Sequence, residues 1–452
     1  MMSLSKWVFC FTEPKQALFF INEVRYQLIT EYGKEEYFNE NQVLIYIFCD
    51  GEMEYKSIKE SIFNNTGICI QISEISDFVR YLMQVKLIRK RPLDEVIYHP
   101  HFSFNAIRVA KLLSDPANLG KIVSLGKLEM SVTNQCPFKC TYCSKKHHQS
   151  LTPLPITNKK RIIKEAFDLG ADTLTLTGGE PLMDQCIQET LELVRYASEL
   201  GIKRKVILTS GYGVSKYAEA LSSAGVDEIQ ISYNRIYSYS EDRVRNHFIE
   251  RNIEGITNVK NYGIRLGVCA VLNSENVDKV QDIINFCSAN RITSLYFYPV
   301  MPIGCGKQNW DKIKLNAVEL KDIIAQILRL KHLYKNEMFI SAPQSFLMEG
   351  KAPQICEGGL YMAYVTESGG LAACACAPVG ENMGETSFKY AWQNTSYLTN
   401  YRRVKQISTS CGSCELNKYC LNTCVLRQNA SQQGYAYDYD NCLLSAANQE
   451  IR

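Results

Sequence analysis

Short apolar, β-prone runs alternate with amphipathic helical segments from about residue 123 onward. Six runs are predicted as strands, at residues 127–132, 172–176, 203–209, 227–232, 265–272 and 294–299. Between the first two, residues 158–170 place Ile162, Ile163, Ala166 and Phe167 on one helical face. This alternation predicts parallel strands with crossover helices, and six units are two short of a closed eight-stranded barrel. We therefore predict an α/β fold built on an open, partial (β/α)6 TIM barrel.

A different pattern precedes the barrel. Residues 41–49 are apolar and β-prone, and residues 52–67 read as a helix that ends at Gly67. Residues 74–85 repeat apolar side chains at helical spacing after a Ser73 cap, and residues 86–92 form a short strand. A strand, two helices and a second strand are typical of a winged-helix domain.

The remainder of the chain, from about residue 340, is rich in Cys, Tyr, Asn and Gly and has little periodicity. A region without a large apolar core is expected to depend on metal for its fold. The predicted domains are a winged-helix-like domain at 1–105, a bridging segment at 106–122, the barrel at 123–335 and a Cys-rich domain at 336–452.

Charge and hydropathy exclude several classes of protein. The 452 residues carry a net charge of +3, and residues 1–100 hold eleven Lys and Arg against fourteen Asp and Glu. An acidic winged helix is a poor partner for phosphates, so we expect no nucleic acid. No run approaches the apolar residues that a membrane span needs, and the N-terminus has no secretory pattern. We expect a cytoplasmic protein without a membrane partner.

Eighteen cysteines are too many for a reducing compartment unless some bind metal or do redox chemistry. Seven are scattered and are expected to be small buried hydrophobes, among them Cys305. Three others, Cys136, Cys140 and Cys143, lie on one loop after the first barrel strand. They could hold three irons of a four-iron cluster and leave the fourth iron open. The alternative is a structural zinc with a distant fourth ligand, such as His147 or His148.

The Cys-x3-Cys-x2-Cys spacing, with Tyr142 before the last cysteine, resembles the signature of the radical S-adenosylmethionine (SAM) superfamily. The segment "TLTGGEPL" after the second strand resembles the family's Gly-Gly-Glu segment. The resemblance implies that Gly178 and Gly179 permit close backbone approach to SAM and that Glu180 receives its ammonium group. It further implies a [4Fe–4S] cluster that chelates SAM, and a 5′-deoxyadenosyl radical that takes a hydrogen atom from the substrate.

Further SAM contacts follow from the same resemblance. Ser210 in "LTSG" and Ser232 in "ISYN" stand where family members contact the ribose. Many relatives have Asp at the position of Asn234, so its role stays open. Arg245 is a candidate partner of the methionyl carboxylate, with an ordinary surface arginine as the alternative.

The remaining cysteines resemble the SPASM pattern of peptide-modifying radical SAM enzymes, which binds two auxiliary [4Fe–4S] clusters. The resemblance assigns Cys411, Cys414, Cys420 and Cys442 to the outer cluster and Cys356, Cys374 and Cys424 to the inner one. Two clusters need eight ligands and this pattern supplies seven. Either Cys376 completes the inner cluster, or one iron is free to bind a substrate thiolate, which is the alternative we favour from the sequence.

The acidic N-terminal domain is similar in architecture to the PqqD-like element that binds the leader of a ribosomally made peptide by strand addition. Together the resemblances imply a precursor-peptide maturase with three clusters and an electron donor such as flavodoxin or ferredoxin. A thioether from a substrate cysteine, as in sactipeptide and ranthipeptide synthases, is the favoured product. Alternatives are carbon–carbon or ether cross-linking, sulfatase-maturase-like oxidation and, in a different class, a DNA-binding redox regulator.

Overall fold

The computed structural model describes a large part of the chain with several gaps. The described residues are 7–11, 16–22, 25–30, 35–49, 54–85, 87–92, 108–109, 112, 121–122, 124–145, 152–235, 240–315, 317–334, 336–341 and 358–403. Two of the predicted features, His147 with His148 and the cysteines at 356 and beyond 403, lie outside these residues.

The N-terminal part combines short antiparallel strands with three helices. The elements are β1 (Trp7–Phe11), β2 (Gln16–Asn22), β3 (Arg25–Thr30), β4 (Glu35–Phe38), α1 (Glu40–Ile47), α2 (Tyr55–Thr66), α3 (Ile72–Gln84) and β5 (Ile88–Pro92). Strands β2, β3 and β4 form a three-stranded sheet, and β1 pairs with β5. The helices at 52–67 and 74–85 and the strand at 86–92 are therefore confirmed.

The predicted strand at 41–49 is wrong, because these residues form helix α1. A capping box begins the helix: Gln42 N–H donates to Asn39 Oδ1 at 2.9 Å, and Asn39 N–H donates to Gln42 Oε1 at 3.0 Å. The residues from Val43 to Ile47 are all buried. Such a continuous apolar run has no periodicity that separates a strand from a helix.

The predicted Ser73 cap is also wrong. Helix α3 begins at Ile72, so Ser73 lies in its first turn, and the capping residue Gln71 makes no side-chain capping bond. The apolar face of this helix is confirmed, since Ile75, Val79 and Leu82 are fully buried.

A nine-stranded open sheet dominates the rest of the molecule. Its strands are β6 (Lys127–Thr133), β7 (Thr173–Gly178), β8 (Arg204–Thr209), β9 (Glu228–Ser232), β10 (Arg265–Leu272), β11 (Ser294–Pro299), β12 (Phe339–Ser341), β13 (Met362–Val365) and β14 (Leu371–Ala372). The spatial order is β12-β11-β10-β9-β8-β7-β6-β13-β14, and β6 to β12 are parallel to their neighbours. The six predicted strands and the open, partial barrel are confirmed.

Helices connect most of the parallel strands, and two further helices follow β14. They are α4 (Ile156–Asp168), α5 (Ile187–Leu200), α6 (Val214–Ala224), α7 (Ser240–Thr257), α8 (Val280–Ala289), α9 (Gly304–Gln308), α10 (Trp310–Ile313), α11 (Ala317–Leu333), α12 (Phe388–Asn394) and α13 (Ser396–Arg403). Alternate strand residues such as Leu128 and Met130 join the apolar core. The intervening positions, such as Glu129 and Ser131, lie on the opposite face, because successive side chains of a strand alternate.

The sheet continues beyond residue 335. Strand β12 pairs with β11, and β13 pairs in parallel with β6, so that Tyr364 lies opposite Glu129. Strand β14 then returns antiparallel to β13. Segments far from β6 in sequence therefore flank the strand that leads into the cysteine loop.

Candidate functional site

The loop that follows β6 carries the three clustered cysteines. Cys140 is buried, and Cys136 and Cys143 are half-buried. The backbone folds tightly, since Cys143 N–H donates to Cys140 O at 3.3 Å. Cys305 supports the loop from outside: its N–H donates to Cys143 O at 2.9 Å and its thiol to Lys145 O at 3.2 Å. The loop is thus held at the carboxyl end of the parallel sheet, where such folds place their chemistry.

The thiols are buried enough to disfavour the thiolate unless a cation is present. Burial raises the pKa of Cys136 to about 11 and that of Cys143 to about 12. In the part of the chain that the structure describes, no three His, Cys, Asp or Glu side chains converge on one metal ion. A [4Fe–4S] cluster does not need several ligands on one metal ion, because each thiolate binds its own iron.

Arg245, on α7, is buried against this loop. Its Nη1 donates to Cys140 Sγ at 3.1 Å, and its guanidinium carbon lies 5.2 Å from the ring centroid of Tyr142. Nε and Nη2 are also buried, and neither has an acceptor among the described residues. A buried N–H without an acceptor is unfavourable, and two such groups on one guanidinium match the geometry of a carboxylate. Arg245 is therefore not an ordinary surface arginine.

Glu180 lies at the end of β7 and is fully buried. Its Oε1 accepts hydrogen bonds from Leu182 N–H at 3.0 Å and from Thr209 Oγ1 at 2.8 Å. Its Oε2 accepts from Ser210 N–H at 2.7 Å and from the Ser210 hydroxyl. Burial raises the pKa of Glu180 above its ordinary value, although these donors oppose the shift. The structure thus holds one carboxylate in a fixed orientation near the cysteine loop.

Two adjacent glycines allow the chain to reach Glu180. A Cβ on Gly178, whose φ is +144°, would lie 2.2 Å from Thr133 O. A Cβ on Gly179 would lie 2.0 Å from Gln135 O, and the Gly179 and Glu180 amides donate to Thr133 O and Gln135 O. The close approach made by these glycines is to the chain's own segment before Cys136, which ties the two loops together.

Tyr142 is buried, and its hydroxyl accepts a hydrogen bond from Asn234 Nδ2. The side-chain oxygen of Asn234 accepts from Val271 N–H, and its backbone oxygen accepts from Asn276 Nδ2 at 2.8 Å. Asn234 therefore joins the ends of β9 and β10 to the cysteine loop, a role that sequence reasoning left open.

The other predicted site residues are placed as follows. Ser210 contacts Glu180 directly, and Ser232 is the half-buried last residue of β9, in register with Cys269 on β10. Cys374 lies just after β14 with Cys376. The remaining proposed ligands lie outside the described residues: Cys356, Cys411, Cys414, Cys420, Cys424 and Cys442.

A buried polar cluster next to the cysteine loop was missed by sequence reasoning. Lys145 Nζ donates to Ser131 Oγ at 2.8 Å and to Glu367 Oε2 at 3.2 Å. Ser131 Oγ in turn donates to Glu367 Oε2 at 2.9 Å. Lys145 follows Cys143 closely in the sequence, but Glu367 is more than 200 residues away, so no local pattern could pair them. The cluster fixes the end of the cysteine loop to the turn after β13.

The donor set fits a SAM-binding iron–sulfur cluster. Soft thiols suit iron, and a buried carboxylate and a guanidinium with two unbonded donors match an ammonium and a carboxylate on one small molecule. Within the described residues, no helix is both long enough and apolar enough to cross a bilayer.

Comparisons with known proteins agree with this chemistry. The family model described as "Radical SAM superfamily" matches residues 130–287. The chain is 30% identical over 233 residues to a GTP 3′,8-cyclase of Alkaliphilus oremlandii, covering 48% of this chain and 68% of that protein. It is 24% identical over 336 residues to a PqqA peptide cyclase of Rhizobium meliloti, covering 70% and 86%. An AdoMet-dependent heme synthase of Oleidesulfovibrio alaskensis is 24% identical over 316 residues, covering 64% and 80%.

A solved structure shares the fold over nearly the whole chain. Streptococcus suis SuiB bound to precursor peptide SuiA has a TM-score of 0.63 at 14% identity, covering 94% of this chain and 97% of that one. Enzymes of the matched family bind SAM and a [4Fe–4S] cluster. The three-cysteine loop, the Gly-Gly-Glu segment after the next strand and the family match lead to one conclusion: the chain belongs to the radical SAM superfamily.

Proposed function

We propose that this protein is a radical SAM maturase that modifies a ribosomally synthesised precursor peptide. One observation carries the assignment of SAM: beside Cys140, in a loop with three thiols, Arg245 presents two buried N–H donors that have no acceptor among the described residues. If the carboxylate of SAM bound to Arg245, the sulfonium group of SAM would lie next to the cluster. Similarity to a PqqA peptide cyclase and the fold shared with a peptide-bound SuiB support a peptide as substrate.

Each site residue then has a separate task. Cys136, Cys140 and Cys143 hold the cluster, and Tyr142 and Asn234 fix the loop. Glu180 pairs with the ammonium of SAM, Arg245 pairs with its carboxylate, and Ser210 and Ser232 face the ribose. Gly178 and Gly179 hold Glu180 against the segment that enters the loop. When bound, the cluster and SAM would supply, after one-electron reduction by an external donor, a 5′-deoxyadenosyl radical that could take a hydrogen atom from the peptide.

The face of the sheet opposite the apolar core carries several polar side chains. Its strand positions include Glu129, Gln230 and Tyr296, which lie on the face opposite the apolar core. Arg204 and Glu228 form an ion pair there at 2.6 Å, and Gln230 donates to the same carboxylate at 2.6 Å. Arg204 and Glu228 are buried at the amino ends of their strands, the end of the sheet opposite the cysteine loop, so this network stabilises the sheet and does not bind the peptide.

The N-terminal domain is proposed to bind the leader of the precursor. A cleft of 560 Å³ opens between the start of α1 and α3, and its lining residues are Asn39, Gln42, Ser73, Glu74, Asp77, Phe78 and Tyr81. The Tyr81 ring stacks on Phe78 at 5.8 Å and is 41% exposed. Among the described residues, β2 and β4 are the edges of the small sheet, and a peptide strand could add to such an edge through backbone hydrogen bonds. Polar and aromatic side chains beside a sheet edge suit a peptide.

The Cys-rich region from residue 336 is proposed to bind two auxiliary clusters, with the ligands that the SPASM resemblance assigns. Their task would be electron transfer away from the peptide, with a flavodoxin or ferredoxin as external donor for the first cluster. The proposed product is a thioether between a substrate cysteine and a peptide carbon. A carbon–carbon or ether cross-link uses the same groups without a substrate cysteine.

Incubation of the anaerobically reconstituted protein with SAM, a reductant and short peptides encoded beside its gene tests the proposal. We expect release of 5′-deoxyadenosine and loss of two hydrogen atoms from the peptide for each bond formed. Resistance of the product cysteines to alkylation would identify a thioether, whereas freely alkylated cysteines would identify carbon–carbon or ether coupling. The Cys143→Ala variant is the control, and retention of DNA without SAM cleavage would contradict the proposal.

A further inference from the structure

Lys145, two residues after Cys143, has both its backbone and its side chain fixed by hydrogen bonds. Its N–H donates to Cys143 Sγ at 3.4 Å, and its carbonyl oxygen accepts from the N–H and the thiol of Cys305, both at 3.2 Å. Its Nζ donates to Ser131 Oγ at 2.8 Å and to Glu367 Oε2 at 3.2 Å. Holding a long side chain in one conformation costs entropy, so these bonds place the ammonium at a defined point beside the cysteine loop.

The two charges of the Lys145–Glu367 ion pair are largely shielded from water. The Glu367 side chain is 8% exposed and that of Lys145 is 22% exposed. The ring of Tyr364, which is also buried, has its centroid 5.8 Å from Lys145 Nζ. Burial alone would raise the pKa of Glu367, but the Lys145 ammonium and the hydrogen bonds to the carboxylate hold this pKa below its ordinary value. Glu367 is therefore ionised at neutral pH.

Stability does not explain why charged residues occupy this position. Removing two charges from water costs about as much free energy as their attraction returns, and an apolar pair of the same size is often as stable. The ion pair is, however, close to a sulfur of the cysteine loop. The Lys145 N–H contacts Cys143 Sγ, and a lysine side chain is shorter than the Debye length of about 10 Å at 0.1 M ionic strength. Its charge is therefore near enough to act on an electron added to a cluster at this loop.

We propose that the Lys145–Glu367 pair sets the reduction potential of the SAM cluster. This inference rests on the proposed function, because it presupposes that Cys136, Cys140 and Cys143 hold that cluster. Reduction takes [4Fe–4S]²⁺ to [4Fe–4S]⁺ with one electron from the external donor, and no bond forms or breaks in this step. A nearby cation stabilises the added electron, and a nearby anion destabilises it. Neither side chain is a catalytic residue, because each acts through the cluster.

The ion pair also links two regions that are distant in the sequence. Lys145 belongs to the cysteine loop, whereas Glu367 lies in the turn between β13 and β14. The C-terminal region thus supplies one of the two charges beside the loop. The potential of the SAM cluster would therefore depend on the position of a turn that lies outside the six barrel strands.

A redox titration of the anaerobically reconstituted full-length protein, followed by electron paramagnetic resonance, tests this proposal. The signal of the SAM cluster is the part of the spectrum that is absent from Cys143→Ala. The variants are Lys145→Met, Glu367→Gln and Lys145→Met/Glu367→Gln, and Glu192→Gln is the control. Glu192, on α5, pairs with Lys160 at 2.7 Å and its side chain is 47% exposed, so this control makes the same change of net charge at the surface. Iron content and circular dichroism check that each variant keeps its clusters and its fold.

We expect the midpoint potential to fall in Lys145→Met, which leaves the anion, and to rise in Glu367→Gln, which leaves the cation. The double variant should lie between the two, and Glu192→Gln should match the unaltered protein. A purely structural role would not shift the potentials of the two single variants in opposite directions.

Potentials equal to that of the unaltered protein, or shifts of both single variants in the same direction, would overturn the proposal and leave the proposed function intact. If Lys145→Met does not retain the cluster, Glu367→Gln decides: a rise supports the proposal, and an unchanged potential overturns it. A spectrum of the unaltered protein identical to that of Cys143→Ala would overturn the assignment of the SAM cluster, and this inference with it.

Discussion

At the scale of single residues, Arg245 distinguishes a SAM site from a structural metal site. A structural zinc needs four ligands and no cation beside them, whereas Arg245 lies against Cys140 with two donors that find no acceptor in the described part of the chain. The sequence alone could not show whether Arg245 contacts SAM or lies on the surface, because that depends on which face of α7 packs against the cysteine loop. The neighbouring Arg243 is exposed, and the two differ only in which face of the helix they occupy.

Replacement of Arg245 by Gln should weaken SAM binding by about 10- to 100-fold, since charge-assisted hydrogen bonds contribute about 1.5 to 3 kcal/mol. Calorimetric titration of the reconstituted protein with SAM measures the change. Arg243→Gln, two residues away on the same helix, should leave the affinity unaltered. Equal affinities of the two variants, at equal iron content, would remove Arg245 from the site.

Glu180 should make SAM binding sensitive to acid. Its carboxylate must be ionised to pair with the ammonium, and burial raises its pKa, so affinity should fall as pH drops through that raised pKa. Without SAM, the stability of the protein depends on pH in the opposite direction. The folded protein binds the proton on Glu180 more tightly than the unfolded chain does. The free energy of unfolding should then decrease as pH rises through the same range.

Titrations with SAM from neutral pH down to the ordinary range of a glutamate measure the first effect, and urea unfolding over the same range measures the second. Glu180→Gln should bind SAM weakly. In this variant, the contribution of the Glu180 carboxyl to the pH dependence of SAM affinity and of the free energy of unfolding should be absent. Wild-type affinity that stays constant down to the ordinary range of a glutamate would show that Glu180 does not pair with SAM.

At the scale of elements, the Gly178–Gly179 segment connects β7 to the strand that leads into the cysteine loop. Gly178→Ala should destabilise the protein by about 3 kcal/mol, because its Cβ would meet the Thr133 carbonyl at 2.2 Å. Gly201→Ala is the matched control: its φ is also positive, at +85°, but no atom lies within 4 Å of the added Cβ. That control should lose only about 1 kcal/mol. Urea unfolding and iron content compare the two variants, and equal effects would show that the close approach is unimportant.

The elements also show what the sequence could and could not predict. The six barrel strands were predictable because each apolar run is bounded by turn residues and separated by an amphipathic helix. Helix α1 was not predictable, since its consecutive residues from Val43 to Ile47 are all buried and show no helical period. Strands β13 and β14 are short, and they join the large sheet because β13 pairs with β6. A pairing between segments so far apart in the sequence leaves no local pattern. The contact between Lys145 and Glu367 could not be predicted for the same reason.

At the scale of the whole molecule, we propose that the N-terminal domain captures the peptide and that the barrel performs the radical chemistry. Tyr81→Ala in the proposed leader cleft should reduce affinity for the precursor by about tenfold, as truncation of an exposed aromatic anchor commonly does. SAM cleavage without peptide should not change. Phe63→Ala is the control, because Phe63 is 54% exposed on α2 but does not line the cleft. Fluorescence anisotropy with a labelled precursor measures the affinity, and identical values for both variants would exclude the cleft.

The central claim is that Cys136, Cys140 and Cys143 hold a cluster to which SAM binds. Electron paramagnetic resonance of the dithionite-reduced protein, recorded with and without SAM, tests it most directly. We predict a [4Fe–4S] signal whose shape changes when SAM is added, and the loss of this change in Cys143→Ala. Zinc in place of iron at this loop, or an iron signal that SAM leaves unaltered, would contradict the account.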